Sequence, residues 1–284
     1  MKRLLIAGFG DIARRAVPRL ERRFQIAPLS RASGVDLDRP ETLTLDPLVV
    51  PAQALLHCAP PPDRGTADTR TANLLAALEK GGILPARIVY VSTSGVYGDC
   101  AGARVDESRP PAPQSERARR RLDAETRLAE WARRRGSVLV LLRVPGIYAP
   151  DRLPLERLRS GTPVLRTEDD VYTSHIHADD LAAIVCRALD DDAPQGVYNA
   201  ADDTEMKMGD WFDLVADFHG LPRPPRIPRD AADKKIPAPL LSFMRESRRL
   251  DNTRLKSVLG VRLRYPTVHE GLRNEHPARL DQPA

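Results

Sequence analysis

Residues 1–31, MKRLLIAGFGDIARRAVPRLERRFQIAPLSR, decide the fold. A short apolar segment, Arg3–Ala7, runs into a glycine-containing turn, and apolar residues then recur at helical spacing over Asp11–Arg23. A second apolar segment follows at Phe24–Leu29. Strand, tight turn, helix and strand in this order form a β-α-β unit, which predicts a parallel sheet.

The same alternation continues along the chain. Further strands are predicted at 54–58, 87–92, 138–143 and 196–200, and further helices at 66–80, 115–135 and 178–189. Fully apolar strands separated by helices predict an α/β fold, a Rossmann-type doubly wound parallel sheet with both faces covered.

A small C-terminal substrate lobe is expected beside this sheet. We assign residues 1–205 to the Rossmann domain, with 146–174 contributing to the lobe, and residues 206–284 to the lobe itself. The segment 221–239 is rich in proline and basic residues, which predicts a connecting loop rather than core. Residues from His276 onward lack periodicity and are expected to fray.

Composition limits the functional classes. The net charge is +5, but the arginine runs 119–121 and 133–135 are interspersed with acids, which favours a solvated helix face. Aromatic residues make up only 5% and no recognition motif accompanies the charge, which argues against nucleic-acid binding. No apolar run approaches the roughly 20 residues of a membrane span. Three scattered cysteines show no metal or disulfide spacing, so we expect a cytoplasmic protein without a metal.

The glycine turn has the pattern G-x-G-x-x-A and lies between a strand and a helix. The first glycine permits a tight turn, the second lets the backbone approach a pyrophosphate, and the small alanine lets helix and strand pack closely. The N-terminus of the helix then offers free N–H groups to phosphate. The predicted dinucleotide contacts here are Gly8, Phe9, Gly10, Asp11, Ile12 and Ala13.

The end of the second strand bears on the choice of dinucleotide. An NAD site usually has Asp or Glu at this position, to bind the ribose hydroxyls. This strand ends instead in Ser30 and Arg31, and Arg31 could pair with a 2′-phosphate. The sequence therefore favours NADP(H) over NAD(H); the alternative is that Arg31 is only a solvent-facing loop residue.

Four motifs in order resemble the extended and atypical short-chain dehydrogenase/reductase family, which includes the NAD-dependent epimerase/dehydratases. They are VYVSTSGVYG at 89–98, RVPGIYAP at 143–150, HIHADDLA at 175–182 and VYNAADD at 197–203. The resemblance covers residues 1 to about 205. It implies the fold above, a nicotinamide dinucleotide and a small-molecule substrate.

The resemblance also implies roles for individual residues. Thr93 occupies the position of the catalytic hydroxyl, and Asp36 and Leu37 resemble the pair beside the adenine. Further cofactor contacts are implied at Cys58, Ala59, Pro60, Ser92, Pro145 and Ile147.

One departure from the family concerns its Tyr-x-x-x-Lys pair. Alignment on Glu125 places Arg117 at the tyrosine position and Arg121 at the lysine position. Arginine, with a pKa above about 12, cannot exchange protons near neutral pH. Arg121 can still serve as a cation near the ribose, so cofactor binding survives whereas the usual proton relay does not.

Other groups could exchange the proton. Tyr97, Tyr148 and Tyr172 are expected in or beside loops that face the pocket, and His175 replaces the family's arginine. Packing or structural hydrogen bonds would also explain these residues. His177 is better explained as the cap of the helix that follows it.

Two functions remain open. The first is an NADP(H)-dependent oxidoreductase or epimerase-like enzyme that acts on a sugar nucleotide or another small carbonyl compound. The second is a non-catalytic NADP(H)-binding redox sensor or regulatory protein. The family resemblance also suggests a homodimer through helix 115–135, but the arginines on this helix leave the dimer open.

Overall fold

A computed structural model of the chain describes residues 1–44 and 52–275. Its helices are α1 Asp11–Leu20, α2 Thr69–Lys80, α3 Glu116–Arg135, α4 Leu155–Arg159, α5 Ala178–Ala188, α6 Met208–His219, α7 Arg229–Lys235, α8 Ala238–Phe243, α9 Thr253–Ser257 and α10 Val268–Glu275. Its strands are β1 Lys2–Ala7, β2 Phe24–Leu29, β3 Ala52–His57, β4 Arg87–Thr93, β5 Arg104–Val105, β6 Val138–Val144, β7 Gly146–Tyr148, β8 Val164–Leu165, β9 Tyr172–Thr173, β10 His175–His177, β11 Gly196–Asn199, β12 Met206–Lys207, β13 Arg226–Ile227 and β14 Arg249–Leu250.

The central sheet confirms the predicted fold class. Within the described ranges it has the strand order β2-β1-β3-β4-β6-β11, and every neighbouring pair is parallel. The chain passes from β1 to β2 on one side, then returns past β1 to β3 on the other. The strand order therefore reverses between β1 and β3, and this reversal opens a crevice at the carboxyl ends of the two strands.

The alternation of side chains along β1 explains why both faces of the sheet are covered. Leu4 and Ile6 belong to the core that includes residues of α1 and α5, whereas Leu5 and Ala7 belong to the core that includes residues of α2 and α3. Successive residues of a strand point to opposite faces, so an unbroken apolar strand fills two cores at once.

A third core builds the smaller lobe and corrects one prediction. The segment 221–239 is not a connecting loop, because it contributes β13, α7 and the start of α8. Its apolar side chains are buried with residues of α4, α6 and α10, and they include Ile227, Ala232 and Ile236. Pro228 and Pro237 immediately precede helices, where their fixed φ is compatible with the first turn.

Part of the chain after residue 205 returns to the larger domain. Leu255, Leu259 and Leu263 are buried in the core of α1 and α5 rather than in the lobe. The predicted lobe of residues 206–284 is therefore interrupted by a segment that packs beside the central sheet. The predicted fraying from His276 concerns residues outside the described ranges. Among the helices described, none is long and apolar enough to cross a membrane.

Candidate functional site

The two glycines of the first turn have different environments. Gly8 has a φ of +85°, and a Cβ atom there would lie 2.3 Å from the backbone nitrogen of Ala59. The fold itself therefore requires this glycine. Gly10 has a φ of −88°, and a Cβ atom there would meet no atom within 4 Å. The described residues leave open space beside Gly10, and their own packing does not require a glycine at this position.

The N-terminus of α1 opens onto this space. Its N-cap residue is Gly10, and no side chain caps the helix. The backbone N–H groups of residues 11–13 donate to no described group, whereas that of Arg14 already bonds the Gly10 carbonyl. Free N–H groups and the positive end of the helix dipole suit an anion such as a pyrophosphate. Ala13 is fully buried, as close packing of helix and strand requires.

An ion-pair network surrounds the first turn of α1. The Arg15 guanidinium contacts carboxylate oxygens of Asp11 at 2.8 Å and of Asp151 and Asp179 at 2.9 Å. Arg152 contacts the other oxygen of Asp11 at 2.9 Å. Burial opposes ionisation of Asp11, but the hydrogen bonds from Arg15 and Arg152 hold its pKa below the usual value. The carboxylate beside the helix N-terminus is therefore neutralised by two arginines.

The residues predicted to select the dinucleotide lie just beyond β2. Ser30 forms a capping box with Ser33 around a short 3₁₀ turn. Arg31 is exposed at the start of that turn, where its carbonyl accepts a hydrogen bond from the Gly34 N–H at 3.1 Å. Its guanidinium forms no hydrogen bond or ion pair within the described residues. Asp36 accepts a hydrogen bond from the Asp38 backbone, and Leu37 is buried. Arg31 is thus available to an anionic ligand, while Leu37 belongs to the core.

The turn after β3 packs directly against the glycine turn. The backbone N–H groups of Cys58 and Ala59 both donate to the carbonyl of Ala7, at 2.8 and 2.9 Å. The Pro60 carbonyl accepts from Arg70 at 3.0 Å. Burial raises the pKa of the Cys58 thiol to about 12, so this thiol stays protonated near neutral pH. These contacts hold the two turns that flank the crevice in a fixed arrangement.

The end of β4 separates two neighbouring hydroxyls. Thr93 lines a cavity, and its Oγ1 accepts a hydrogen bond from the Gly95 N–H at 3.2 Å. Ser92 is buried, and its hydroxyl donates to Glu125 at 2.5 Å. Because successive strand residues point to opposite faces, Ser92 cannot share the cavity with Thr93. The Ser92 hydroxyl is therefore engaged by Glu125, and a cofactor contact at Ser92 stays a prediction.

The helix α3 retains the family's anchor without its tyrosine and lysine. Glu125 forms a buried ion pair with Arg143 of β6, with Nη2 and Oε2 2.8 Å apart. Nη1 of Arg121, at the lysine position, donates to the Val91 carbonyl at 2.9 Å and the Tyr90 hydroxyl at 3.1 Å. Arg117, at the tyrosine position, lines the same cavity as Thr93.

The cavity has a volume of about 270 Å³ and lies between the sheet and the lobe. Pro145 and Ile147, predicted from the family motif, line it on the side of the sheet. Its apolar wall comes from the lobe, and its polar side carries several arginines. The cavity is also lined by Tyr148, Arg152, Arg157, Tyr172, His175, Trp211, Phe243, Glu246 and Arg248.

Two of the candidate proton donors have engaged hydroxyls. Tyr97 is fully buried, does not line the cavity, and donates to the Asn199 side chain at 2.8 Å. Tyr148 lines the cavity, but its hydroxyl donates to the Thr267 carbonyl at 3.3 Å. Tyr172 also lines the cavity, and its hydroxyl forms no hydrogen bond within the described residues. Tyr172, rather than Tyr97 or Tyr148, therefore lines the cavity with a hydroxyl that is not already hydrogen-bonded within the described residues.

His175 is a neutral residue in the cavity wall. It is 4% exposed, its ring lies 4.6 Å from the Trp211 ring, and its Nδ1 has no hydrogen-bond partner within the described residues. Burial lowers the pKa of His175 to about 3, so near neutral pH the ring is uncharged and cannot act as an imidazolium acid. His177 accepts from the Asp179 N–H at 3.1 Å, which confirms the predicted helix cap.

The residues on the lobe side of the cavity were not predicted from the sequence. Trp211 and Phe212 belong to α6, a helix that was not predicted, although Trp211, Phe212 and Val215 have helical spacing in the sequence. Arg248 lies after a proline-rich segment and carries no motif. No group of three or more His, Cys, Asp or Glu side chains in residues 1–44 and 52–275 could hold a metal ion.

Comparisons with known proteins agree with this architecture. Residues 68–201 match the model of the NAD dependent epimerase/dehydratase family, a match that does not include the glycine turn. A functionally unknown conserved protein from Silicibacter pomeroyi DSS has a solved structure that is 29% identical in sequence. Its TM-score is 0.80, and the alignment covers 98% of this chain and 99% of that one. No curated protein sequence matches the chain.

Two further solved structures contain a nicotinamide dinucleotide. A Thermus thermophilus UDP-glucose 4-epimerase in complex with NAD is 23% identical, with a TM-score of 0.74 and coverage of 95% of this chain and 96% of that one. RMD from Pseudomonas aeruginosa, complexed with NADPH, is 21% identical, with a TM-score of 0.74 and coverage of 96% and 97%. At these identities the likeness shows the shared fold. The family match over residues 68–201, together with this fold, confirms the resemblance to the NAD-dependent epimerase/dehydratase family that the sequence predicted.

Proposed function

We propose that the chain binds a nicotinamide dinucleotide at the carboxyl ends of β1 and β3 and catalyses an NAD(P)-dependent oxidoreduction or epimerisation. The observation that carries this proposal is the open, uncapped N-terminus of α1 beside Gly10. A glycine that the protein's own packing does not need is accounted for by a ligand that approaches the backbone. The family match and the dinucleotide complexes of two structural neighbours support the same conclusion.

NADP(H) is the preferred dinucleotide in this proposal. Arg31 is exposed just beyond β2, and although it helps to lower the pKa of Asp38, it forms no ion pair within the described residues, so its guanidinium is available to a 2′-phosphate. The neighbours offer no preference, because one holds NAD and the other NADPH.

The bound nicotinamide would supply or accept the hydride, and the chain's own residues would orient the substrate. Thr93 Oγ1 already accepts a hydrogen bond from the Gly95 N–H, so its hydroxyl hydrogen remains free to donate to a substrate oxygen. Tyr172 or water would exchange the proton, because the hydroxyls of Tyr97 and Tyr148 already donate hydrogen bonds to other groups of the chain.

Turnover tests this proposal. With NADPH or NADP⁺ and a panel of aldehydes, ketones, keto acids, hydroxy acids, sugar phosphates and sugar nucleotides, we expect the wild-type chain to turn over at least one compound. Thr93→Val should lower kcat/KM by about 100-fold or more, because the donor to the reacting oxygen is lost. Thr126→Val, on the exposed side of α3, serves as the control. Unchanged activity in Thr93→Val would remove Thr93 from the reaction.

A non-catalytic NADP(H)-binding sensor is the second candidate. Arg117 and Arg121 stand where the family has its proton-exchanging tyrosine and lysine, and this observation favours it. NADPH binding without turnover of any compound in the panel would favour the sensor over the enzyme.

A further inference from the structure

The cavity beside Thr93 carries an excess of positive charge. Four guanidinium groups line it, and Glu246 is the one carboxylate among the described lining residues. Glu246 is paired with Arg248, with Oε2 and Nη1 2.8 Å apart and both side chains nearly buried. Arg152 is paired with Asp11 at 2.9 Å. These two arginines therefore have local counter-charges.

The other two arginines of the cavity form no ion pair within the described residues. Within the described residues, neither Arg117 nor Arg157 lies within 4.0 Å of a carboxylate oxygen. Arg117 is half-buried, and its guanidinium lies over the Phe243 ring at 4.1 Å from the centroid. Burial lowers the pKa of Arg117 and outweighs the opposing attraction of Glu246, as expected for a partly desolvated cation that forms no ion pair. An acid group in the cavity would relieve this cost.

The size of the cavity limits what can carry that acid group. Its volume of about 270 Å³ is slightly below the range of roughly 300–1,000 Å³ that is typical of pockets for drug-sized ligands. A nucleoside diphosphate sugar is larger than most drug-sized ligands, and the bulk of it would remain outside. The apolar wall of Tyr148, Trp211 and Phe212 suits a compact carbon skeleton.

We propose that the substrate is a small acid whose carboxylate or phosphate is bound by Arg117 and Arg157, with its reacting oxygen beside Thr93. This inference rests on the proposed function and names its substrate class. Arg117 thus replaces the family's tyrosine with an anion-binding group. Planar guanidinium groups bind carboxylate and phosphate through paired hydrogen bonds, which also orients the ligand.

Intrinsic fluorescence can report binding, because Trp211 lines the cavity while Trp131 is buried in another core. The probes are lactate and gluconate as carboxylates, and inorganic phosphate and glucose 6-phosphate as phosphates. Glycerol and glucose are the neutral controls. We expect at least one acid to change the fluorescence saturably, the neutral probes to have no effect, and Trp211→Phe to abolish the signal. Which acids bind decides between carboxylate and phosphate.

Charge-removing variants test the two arginines. Arg117→Gln and Arg157→Gln should each weaken binding of the acid by about tenfold or more, whereas Arg117→Lys should retain part of it. Arg159→Gln, on the same helix as Arg157 but outside the cavity, should have no effect. Melting temperatures of all variants exclude loss of fold as the cause.

Three results would overturn the inference: no acid binds at millimolar concentration, glucose binds as tightly as glucose 6-phosphate, or UDP-glucose binds more tightly than every small acid. NADPH titration keeps this failure separate from that of the proposed function. NADPH binding without acid binding rejects only the substrate class, whereas acid binding without binding of either dinucleotide rejects the proposed function.

Discussion

The glycine turn and the first half of α3 both lie where the family has a motif, but only the turn retains the residues of that motif. In the turn, the proposed binding depends on the backbone: Gly8 is fixed by a left-handed φ and a close contact, and Gly10 leaves space at a helix N-terminus. In α3, function depends on side chains, and arginines stand at the tyrosine and lysine positions. In the proposed function, a binding site made of backbone would persist while the side-chain chemistry beside it changes.

The largest effect is expected at Gly8, where the turn depends on steric fit. Gly8→Ala would place a Cβ 2.3 Å from the Ala59 nitrogen in a left-handed conformation, so we expect a loss of about 4 kcal/mol or more in unfolding free energy. Gly136→Ala has a similar φ of +69° but open space, and should cost only about 1–2 kcal/mol. Urea denaturation measures both, and equal losses would show that the close contact is unimportant.

The second effect concerns the anchor that α3 retains. Glu125→Ala would leave Arg143 buried without its partner, and should cost about 3–5 kcal/mol in unfolding free energy. Glu130→Ala, exposed on the same helix, should change it by less than about 0.5 kcal/mol. Similar values for the two variants in chemical denaturation would mean that α3 is not held by this ion pair.

A smaller effect is expected for dinucleotide preference at the edge of the turn. Arg31→Asp removes the cation proposed to meet the 2′-phosphate and adds a repelling charge, so NADPH affinity should fall about tenfold more than NADH affinity. Arg22→Asp makes the same charge change on an exposed residue beyond the C-terminal end of α1. If fluorescence titration showed that Arg31→Asp lowers the affinity for both dinucleotides equally, Arg31 would not be the source of a preference for NADP(H).

The smallest effect concerns the neutral His175 in the cavity wall. Its folded pKa of about 3 lies below its ordinary value of 6.5, so between these values the unfolded chain binds more protons than the folded chain. Its contribution to stability is complete above pH 6.5 and is lost as the pH falls toward 3. His175→Gln should therefore make the dependence of melting temperature on pH shallower in this interval.

Two histidines help to interpret that measurement. His57 is also buried with a pKa lowered to about 3, so part of the pH dependence should remain in His175→Gln. His269→Gln, an exposed control, should leave the slope as it is in the wild type. An unchanged slope in His175→Gln would show that burial does not hold this side chain neutral.

Local periodicity predicted the elements of the sheet well. Strand β2 was predicted with its observed bounds, and α5 ends one residue before the predicted helix. These segments are apolar runs or amphipathic helices whose pattern depends only on neighbouring residues. The segment 221–239 was misassigned because its prolines were interpreted as breakers, although two of them lie at helix starts.

The sequence could predict much less of the site. It pointed to Thr93, which lines the cavity, but not to the burial of Ser92 against Glu125, since the strand bounds and this partner were needed for that. Tyr97 is engaged by Asn199, 102 positions away, a pairing without a local signal. The charge excess of the cavity comes from segments that meet only in the folded chain. Long-range contacts, rather than residue types, therefore decide which candidates remain.

The most direct test of the central claim is a fluorescence titration of the wild-type chain and of Gly10→Asp with NADPH and NADH. We predict saturable binding by the wild type and at least 100-fold weaker binding by Gly10→Asp. The melting temperature should be unchanged, because the new side chain meets no described atom within 4 Å of its Cβ. Failure of the wild type to bind either dinucleotide at millimolar concentration, or undiminished binding by Gly10→Asp, would contradict the account.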